Sequence, residues 1–152
     1  MIAIDVHDAT LADIEALAPR LRADDAAEVA AMGVSPEAAL RRSLDISHWA
    51  HAAWVDGEIA AMWGLHIPHL ASATAYPWLL TTAVVERHRK LFVATSRSQI
   101  AIWQSYGFAL EGAIDGRYAR AQRWLWHLGF ALSPGPLMKS GIEFKTYRKE
   151  AA

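Results

Sequence analysis

The segment 49–65, WAHAAWVDGEIAAMWGL, indicates its local structure more clearly than any other stretch of the chain. Two apolar-rich runs, Trp49–Val55 and Glu58–Leu65, flank the pair Asp56-Gly57. An Asp-Gly pair in this setting is typical of a two-residue type I′ turn, in which both central residues adopt positive φ. The segment therefore predicts an antiparallel hairpin, and the rest of the chain is interpreted outward from it.

Upstream of the hairpin, the pattern predicts one strand followed by three helices. Apolar residues alternate with other residues over Ile2–His7, which is typical of a strand. Three segments then repeat apolar residues at helical spacing, with proline and glycine near their ends. The first helix is predicted to end near Ala18, the second to run from Asp24 to Met32, and the third to run from Ser35 to about Ile46.

Downstream of the hairpin, strands alternate with helices, which is typical of α/β layers. Trp78–Val85 is almost entirely apolar or β-branched and predicts a central strand buried on both faces. We expect the strand Phe108–Ile114 to run parallel to it. The other predicted elements are a loop over 66–75, helix Glu86–Tyr106, helix Arg117–Leu128, a strand starting at Gly129-Phe130, a loop at Pro134-Gly135-Pro136 and strand Ile142–Tyr147.

Length and composition limit the class of protein. The 152 residues predict a single domain over 1–148, with a frayed tail over 149–152. The 15 Lys and Arg nearly balance the 16 Asp and Glu, which argues against a general nucleic-acid coat protein. There is no Cys, so disulfides and thiol chemistry are excluded. No membrane-spanning run or signal peptide is evident, and the chain is expected to be intracellular and not secreted.

The segment 121–130, AQRWLWHLGF, resembles part of a known fold family. GNAT acetyltransferases have a late helix that ends in Gly-Phe with an Ala eight residues before the Gly, and Ala121 and Gly129-Phe130 fit that spacing. The hairpin end at 60–64, AAMWG, is similar to the second and third strands of that family. The resemblance implies a GNAT-like α/β fold, with a mixed central sheet of about six to seven strands flanked by about four to five helices.

The cofactor site of that family has no clear counterpart in this chain. GNAT enzymes bind the acetyl-CoA pyrophosphate on a Gly-rich loop that follows the fourth strand, where backbone N–H groups approach the phosphates. The corresponding segment here is Val84–Lys90, and no Gly lies between Gly64 and Gly107. Tyr118 and Leu125 stand where the family has an Asn and a proton-donating Tyr. We therefore expect no cofactor and no catalytic residues, and the assignment as an enzyme stays open.

A narrower resemblance is to phage proteins similar to the internal virion (core) protein of T7-like phages, which share a GNAT-like fold without the CoA loop. The similar motifs are Met62-Trp63-Gly64, Trp78–Thr81, Arg89–Phe92 and Arg123–Phe130. This resemblance implies a virion assembly or genome-delivery protein without catalysis. Its implied partners are other virion proteins or copies of itself, and its implied location is a phage virion or the host bacterial cytoplasm.

Two alternatives stay open. The first is a divergent acetyltransferase that uses acetyl-CoA, with Glu86 or His88 as the general base. Its cofactor would be held by Val85, Arg87, Arg89 and Lys90. The second is an intracellular interaction module that has kept the fold. Against the first, Glu86 is better explained as a first-turn helix carboxylate, and the basic cluster as a solvated, internally paired face.

The helix Arg117–Leu128 carries a candidate interaction surface. Its basic residues recur at spacings of three, three and four, which places them on one stripe. Two tryptophans two positions apart on a helix cannot both face inward, so one should be partly exposed. Exposed tryptophan is enriched at protein interfaces. The surface comprises Arg117, Arg120, Arg123, Trp124, Trp126 and His127. It suits an acidic partner protein or a DNA or other phosphate backbone; the alternative is local pairing with Glu111, Asp115 or Glu143.

The seven His residues include two pairs at a spacing of three, His48 with His51 and His66 with His69. The first pair lies near a strand start and the second in a predicted loop. Neither pair has a nearby Asp or Glu that would complete a ligand set. We therefore expect no metal site.

Overall fold

The computed structural model describes residues 1–69, 71–139 and 141–152. Within them the chain forms seven β-strands and six α-helices, which confirms the predicted mixed α/β class. The strands are β1 (Ile4–Asp8), β2 (Trp49–Val55), β3 (Glu58–His66), β4 (Thr74–Thr81), β5 (Ala109–Asp115), β6 (Ala131–Lys139) and β7 (Ile142–Lys149). The helices are α1 (Leu11–Leu17), α2 (Ala23–Ala31), α3 (Pro36–Ile46), α4 (Val84–Arg87), α5 (Arg89–Ser105) and α6 (Ala119–His127).

The strands follow the hydrogen-bonded order β1-β2-β3-β4-β5-β7-β6. The chain divides into two compact units, Met1–His66 with Pro77–Lys90, and Ile67–Tyr76 with Leu91–Ala152. The single domain over 1–148 and the frayed tail over 149–152 stay predictions. Among the described residues, no helix combines the length and apolar character needed to cross a membrane.

The first unit contains the predicted hairpin. β2 and β3 pair antiparallel, and Asp56 and Gly57 have φ of 49° and 80°, so both turn residues adopt the positive φ that the Asp-Gly pair predicts. Helices α1 and α3 pack on the sheet. The buried core between them consists of Ile14, Leu17, Leu40, Ala52, Ile59 and Met62.

Gly64 on β3 is required by close packing in the same unit. A Cβ at this position would lie 2.6 Å from the Trp49 carbonyl oxygen and 2.6 Å from Trp78 Nε1. The indole of Trp78 reaches over Gly64 and donates a hydrogen bond to Ser47 Oγ at 2.7 Å. The Met-Trp-Gly motif therefore marks a position where β3 allows an aromatic ring to lie against its backbone.

The position of β4 differs from the prediction. The strand runs over Thr74–Thr81, four residues earlier than expected, and only Ala75 and Thr81 in it are buried. Val84 and Val85 are buried in helix α4 instead, so their apolar character does not require a strand. The predicted loop over 66–75 is correspondingly too long.

The long helix predicted over Glu86–Tyr106 is also wrong in one respect, because it consists of two helices. α4 ends at Arg87, and His88 breaks the helical path with φ −128° and ψ 44°. α5 then begins at Arg89. The break leaves the N-terminus of a 17-residue helix directly after α4.

In the second unit, β5 and β7 pair antiparallel, as do β7 and β6. β5 is parallel to β4 as predicted, through Thr74 with Ala109 and Ala75 with Leu110. The predicted loop at 134–136 is wrong, because these residues lie inside β6, where the register with β7 shifts between Ser133 and Leu137. A strand at the end of the sheet order tolerates proline because one of its edges needs no N–H donors.

Candidate functional site

The end of β4 is fixed by hydrogen bonds to the segment around α2. Thr81 donates its N–H and its hydroxyl to Asp25 Oδ2, at 2.8 and 2.6 Å. Arg22 N donates to the Thr81 carbonyl at 2.9 Å, and Leu21 forms an isolated antiparallel bridge with Thr82. The backbone of Thr81 therefore has its donor and its acceptor engaged by the chain itself.

Thr82 lies between the end of β4 and the start of α4. Its N–H donates to the Ala60 carbonyl at 2.9 Å, and its hydroxyl donates to the Ile59 carbonyl at 2.8 Å. The same hydroxyl accepts from Val84 N at 3.2 Å, which turns the chain into α4. Thr82 thus joins β3 to the start of α4.

Asp25, Arg22 and Glu86 form a charged network at this end of the strand. Arg22 Nε lies 3.8 Å from Asp25 Oδ2, and Arg22 Nη1 lies 3.7 Å from Glu86 Oε1. Burial raises the pKa of Asp25, and the Thr81 hydroxyl and the Arg22 charge only partly oppose that rise. Arg22 Nε is buried and, among the described residues, has no hydrogen-bond partner.

Sequence reasoning missed Asp25. Asp24 and Asp25 both lie in the first turn of α2, where carboxylates are explained by the helix dipole alone. A pair of adjacent carboxylates at a helix start was the only available signal, because two neighbouring helical positions cannot both face the same way. The partner Thr81 lies 56 residues away, and no local pattern predicts that contact.

The two candidate bases occupy different settings. Glu86 is exposed in α4 and forms its ion pair with Arg22. His88 is half-buried at the break between α4 and α5, and its N–H donates to the Val85 carbonyl at 3.3 Å. The structure therefore brings Glu86, but not His88, into the network around Asp25.

The four predicted cofactor-binding residues separate into two pairs. Val85 is buried, and Arg87 forms an ion pair with Glu58 at the hairpin. Arg89 and Lys90 are exposed in the first turn of α5, and within the described part of the chain neither has an ion-pair partner. Two unpaired cations thus stand at a helix N-terminus, where the helix dipole disfavours them.

The Gly-free segment after β4 supplies few free amides. The N–H groups of Val85, Glu86 and His88 donate to carbonyls within the same turn, at 3.1–3.3 Å. An anion could not bind these amides without breaking α4. The first N–H groups of α5 are the remaining candidates for an anion, because the opening turn of an α-helix has no acceptor within that helix.

The predicted surface on α6 is divided by the structure. Arg117 precedes the helix and holds buried Asp115 through Nε at 3.1 Å and Nη2 at 2.8 Å, as the local-pairing alternative proposed. Trp124 stacks on Phe92 with ring centroids 5.5 Å apart. Trp126 is 67% exposed. The exposed residues of the predicted surface on the helix are Arg120, Arg123, Trp126 and His127.

The described residues contain no group of three His, Cys, Asp or Glu that could hold a metal ion. His51 lies 3.5 Å from Asp8, and His66 Nδ1 lies 2.9 Å from the Ile46 carbonyl oxygen. The absence of a metal site in the whole chain stays a prediction.

Comparisons with known proteins show which solved structures this chain resembles. No protein-family model matches the chain. No curated protein matches it in sequence. Solved structures do match: a candidate phosphinothricin N-acetyltransferase has 18% identity, a TM-score of 0.71 and 99% coverage of both chains. The ribosomal-protein-S18-alanine N-acetyltransferase of Escherichia coli has 14% identity and a TM-score of 0.70, over 99% of this chain and 95% of that one.

A third structure, yncA from Salmonella typhimurium, is a candidate acetyltransferase with its cofactor acetyl-CoA. It has 11% identity and a TM-score of 0.60, over 99% of this chain and 95% of that one. Other matching structures are described as GNAT acetyltransferases.

The chain has the GNAT fold. Identities of 11–18% establish the fold alone and leave the activity to be tested. None of these names supports the resemblance to phage virion proteins.

Proposed function

We propose that this GNAT-fold protein is an acyl-CoA-dependent N-acyltransferase with an altered phosphate site. The observation that carries the proposal is the start of α5, where Arg89 and Lys90 stand exposed and without ion-pair partners in the described chain. An unpaired cationic first turn on a long helix fits a bound anion, because the anion offsets the unfavourable dipole interaction and can accept hydrogen bonds from the N–H groups of a helix start.

The fit to acetyl-CoA is partial. Arg89 and Lys90 suit a pyrophosphate as charge partners, and the α5 amides suit it as hydrogen-bond donors. The amides of Val85, Glu86 and His88 do not, because α4 uses them. The cofactor would supply an activated acyl group, and this chain would hold its phosphates mainly through side-chain charge and not through a Gly-rich loop.

Asp25 is the strongest proton acceptor for this proposal. A carboxylate whose pKa is raised by burial is better matched to accepting a proton near neutral pH than an exposed one. Arg22 lies 3.8 Å from Asp25 and 3.7 Å from Glu86, so one cation faces both carboxylates. Glu86 and His88 then serve in positioning α4 and α5.

An acetylation assay on amine substrates tests the activity. Asp25→Asn keeps an oxygen that can accept from Thr81, so the variant should fold and bind acetyl-CoA but transfer acetyl groups far more slowly. Glu15→Gln, a carboxylate change on α1 away from the network, is the control. Equal activity in wild type and Asp25→Asn would remove Asp25 from the reaction.

A second candidate is a non-catalytic interaction protein, of which a virion assembly component is one specific form. The observation favouring it is the internal bonding of the amides after β4, together with the exposed basic and aromatic face of α6. Such a face suits other virion proteins, further copies of the chain or a phosphate backbone. Failure to bind CoA, with retained assembly through α6, would favour this candidate.

A further inference from the structure

Strand β1 has an open hydrogen-bonding edge. It lies at one end of the strand order, and among the described residues it pairs with β2 alone. The Ala3 carbonyl accepts from Asp56 N at 2.8 Å, and Ala9 N donates to the Ala50 carbonyl at 3.0 Å. The odd-numbered positions therefore bond to β2. In an antiparallel ladder the even-numbered positions then direct their N–H and C=O groups away from it.

The same even-numbered positions present apolar side chains to solvent. Ile2, Ile4 and Val6 are 48%, 48% and 51% exposed. Asp5 and His7 lie on the opposite face of the strand, where His7 contacts Asp13. The strand thus combines free backbone groups with an exposed apolar row.

At the other end of the strand order, prolines in β6 hinder pairing with a further strand. β6 carries Pro134 and Pro136, which lack N–H groups, so that strand cannot offer a complete ladder to a partner. β1 contains no proline.

The sequence of β1 is complementary to itself in one register. If two copies pair antiparallel about Val6, Val6 lies opposite Val6 and Asp5 lies opposite His7 of the second copy. His7 already contacts Asp5 of its own chain through Nδ1 at 3.2 Å and Asp13 through Nε2 at 3.0 Å, so the facing Asp5 and His7 side chains would form one alternating cluster of acids and bases across the junction. Opposite charges on directly facing residues stabilise a strand pair, whereas like charges destabilise it.

We propose that a second copy of this chain pairs with the first through β1, antiparallel and centred on Val6, so that the two sheets become continuous. The occupant is a second copy because its charges match this strand in that register. The contact is independent of acyl transfer, so it stands or fails separately from the proposed activity.

A cysteine cross-link tests the register. The chain has no Cys, so Val6→Cys introduces a single thiol on the two-fold axis. Cα atoms of a directly opposed hydrogen-bonded pair lie about 5.5 Å apart, which a disulfide can span. Ile102→Cys on α5 is the matched control, because Ile102 is 49% exposed. We expect rapid disulfide dimers from Val6→Cys and a persistent monomer from Ile102→Cys.

Sedimentation of the cysteine-free chain provides the second measurement. The wild type should form dimers as its concentration rises, and Val6→Lys, which places like charges face to face, should weaken the dimer about tenfold or more. Circular dichroism checks that the variant is folded. A wild type that is monomeric at every concentration, equal oxidation of the two Cys variants, or a dimer unaffected by Val6→Lys would each overturn the proposal.

Discussion

Thr81 donates both its backbone N–H and its hydroxyl to a single oxygen of Asp25, at 2.8 and 2.6 Å. This contact joins the last residue of β4 to the first turn of α2, across 56 positions of sequence. Asp25 has two separable properties. Its acceptor oxygen holds the end of the strand, whereas burial of the side chain raises the pKa of the carboxyl against the lowering effect of the Thr81 hydrogen bonds.

The role of Asp25 as the hydrogen-bond acceptor at the end of β4 is tested by removing its carboxylate oxygen. Asp25→Ala leaves the buried N–H and hydroxyl of Thr81 without an acceptor, which costs about 1–3 kcal/mol for each group. Asp25→Asn keeps the oxygen and should cost clearly less. Urea unfolding of both variants measures the difference. Equal losses would show that the charge, and not the acceptor, stabilises the end of β4.

The pair His7 and Asp13 predicts a pH dependence of stability. The hydrogen bond to Asp13 raises the pKa of His7 above 6.5. A raised histidine pKa contributes stability that is complete below the unfolded value and is lost as pH rises through the folded value. His7→Gln should therefore destabilise the chain at about pH 5 and much less at about pH 9. Thermal unfolding across that range measures it.

The Asp13 carboxyl makes stability depend on pH in the opposite direction to His7. Burial alone would raise the pKa of Asp13, but hydrogen bonds from Trp54, Thr10 and His7 lower it below 3.8. Its stabilising effect is present at higher pH and is lost as pH falls through the folded pKa. A difference in unfolding temperature between wild type and His7→Gln that stays constant from about pH 5 to about pH 9 would contradict the contact between His7 and Asp13.

Gly64→Ala should destabilise the first unit. The new Cβ would meet the Trp49 carbonyl and the Trp78 ring, and overpacking of this kind costs about 1–3 kcal/mol. Gly112→Ala on β5 is the comparison, because the three atoms nearest its Cβ all belong to the end of the Tyr147 side chain, whereas the Cβ at Gly64 meets a backbone carbonyl. Chemical denaturation of the two variants should rank Gly64→Ala as the more damaging; the reverse order would contradict the packing.

The exposed face of α6 predicts an assembly defect. Arg120→Glu with Arg123→Glu reverses two charges beside Trp126 and should abolish binding to an acidic partner or to a phosphate backbone while leaving the fold intact. Arg42→Glu with Arg97→Glu, at two exposed positions on α3 and α5, makes the same change of net charge and is the control. A pull-down that measures how much partner each variant retains tests the effect, and circular dichroism checks that the variants are folded. Normal assembly by the double variant would leave α6 as a solvated face.

The sequence predicts well where structure is decided locally. The Asp56-Gly57 turn and the Ser35 cap, whose Oγ accepts from Ala38 N at 3.1 Å, depend on neighbouring residues only. β4 could not be placed in this way, because buried valines fit a strand and a short helix equally well.

Only the part of the candidate site that depends on local sequence can be predicted. The segment 84–90 was identified through its lack of glycine, which is visible in the sequence. Whether its amides are free depends on Thr82, whose hydroxyl bonds to β3 and starts α4. Asp25 was missed because its role depends on a distant strand end. The residues that govern the chemistry here are those set by tertiary contacts, which a single sequence does not reveal.

A calorimetric titration of acetyl-CoA into the full chain tests the central proposal most directly. The wild type should bind in the micromolar range, and Arg89→Glu with Lys90→Glu should weaken binding at least about tenfold, a change of about 1.4 kcal/mol in binding free energy. Arg41→Glu with Arg42→Glu on α3 makes the same change of charge elsewhere and should bind as the wild type does. No heat of binding at millimolar acetyl-CoA would contradict the proposal and leave this chain as a GNAT-fold interaction protein.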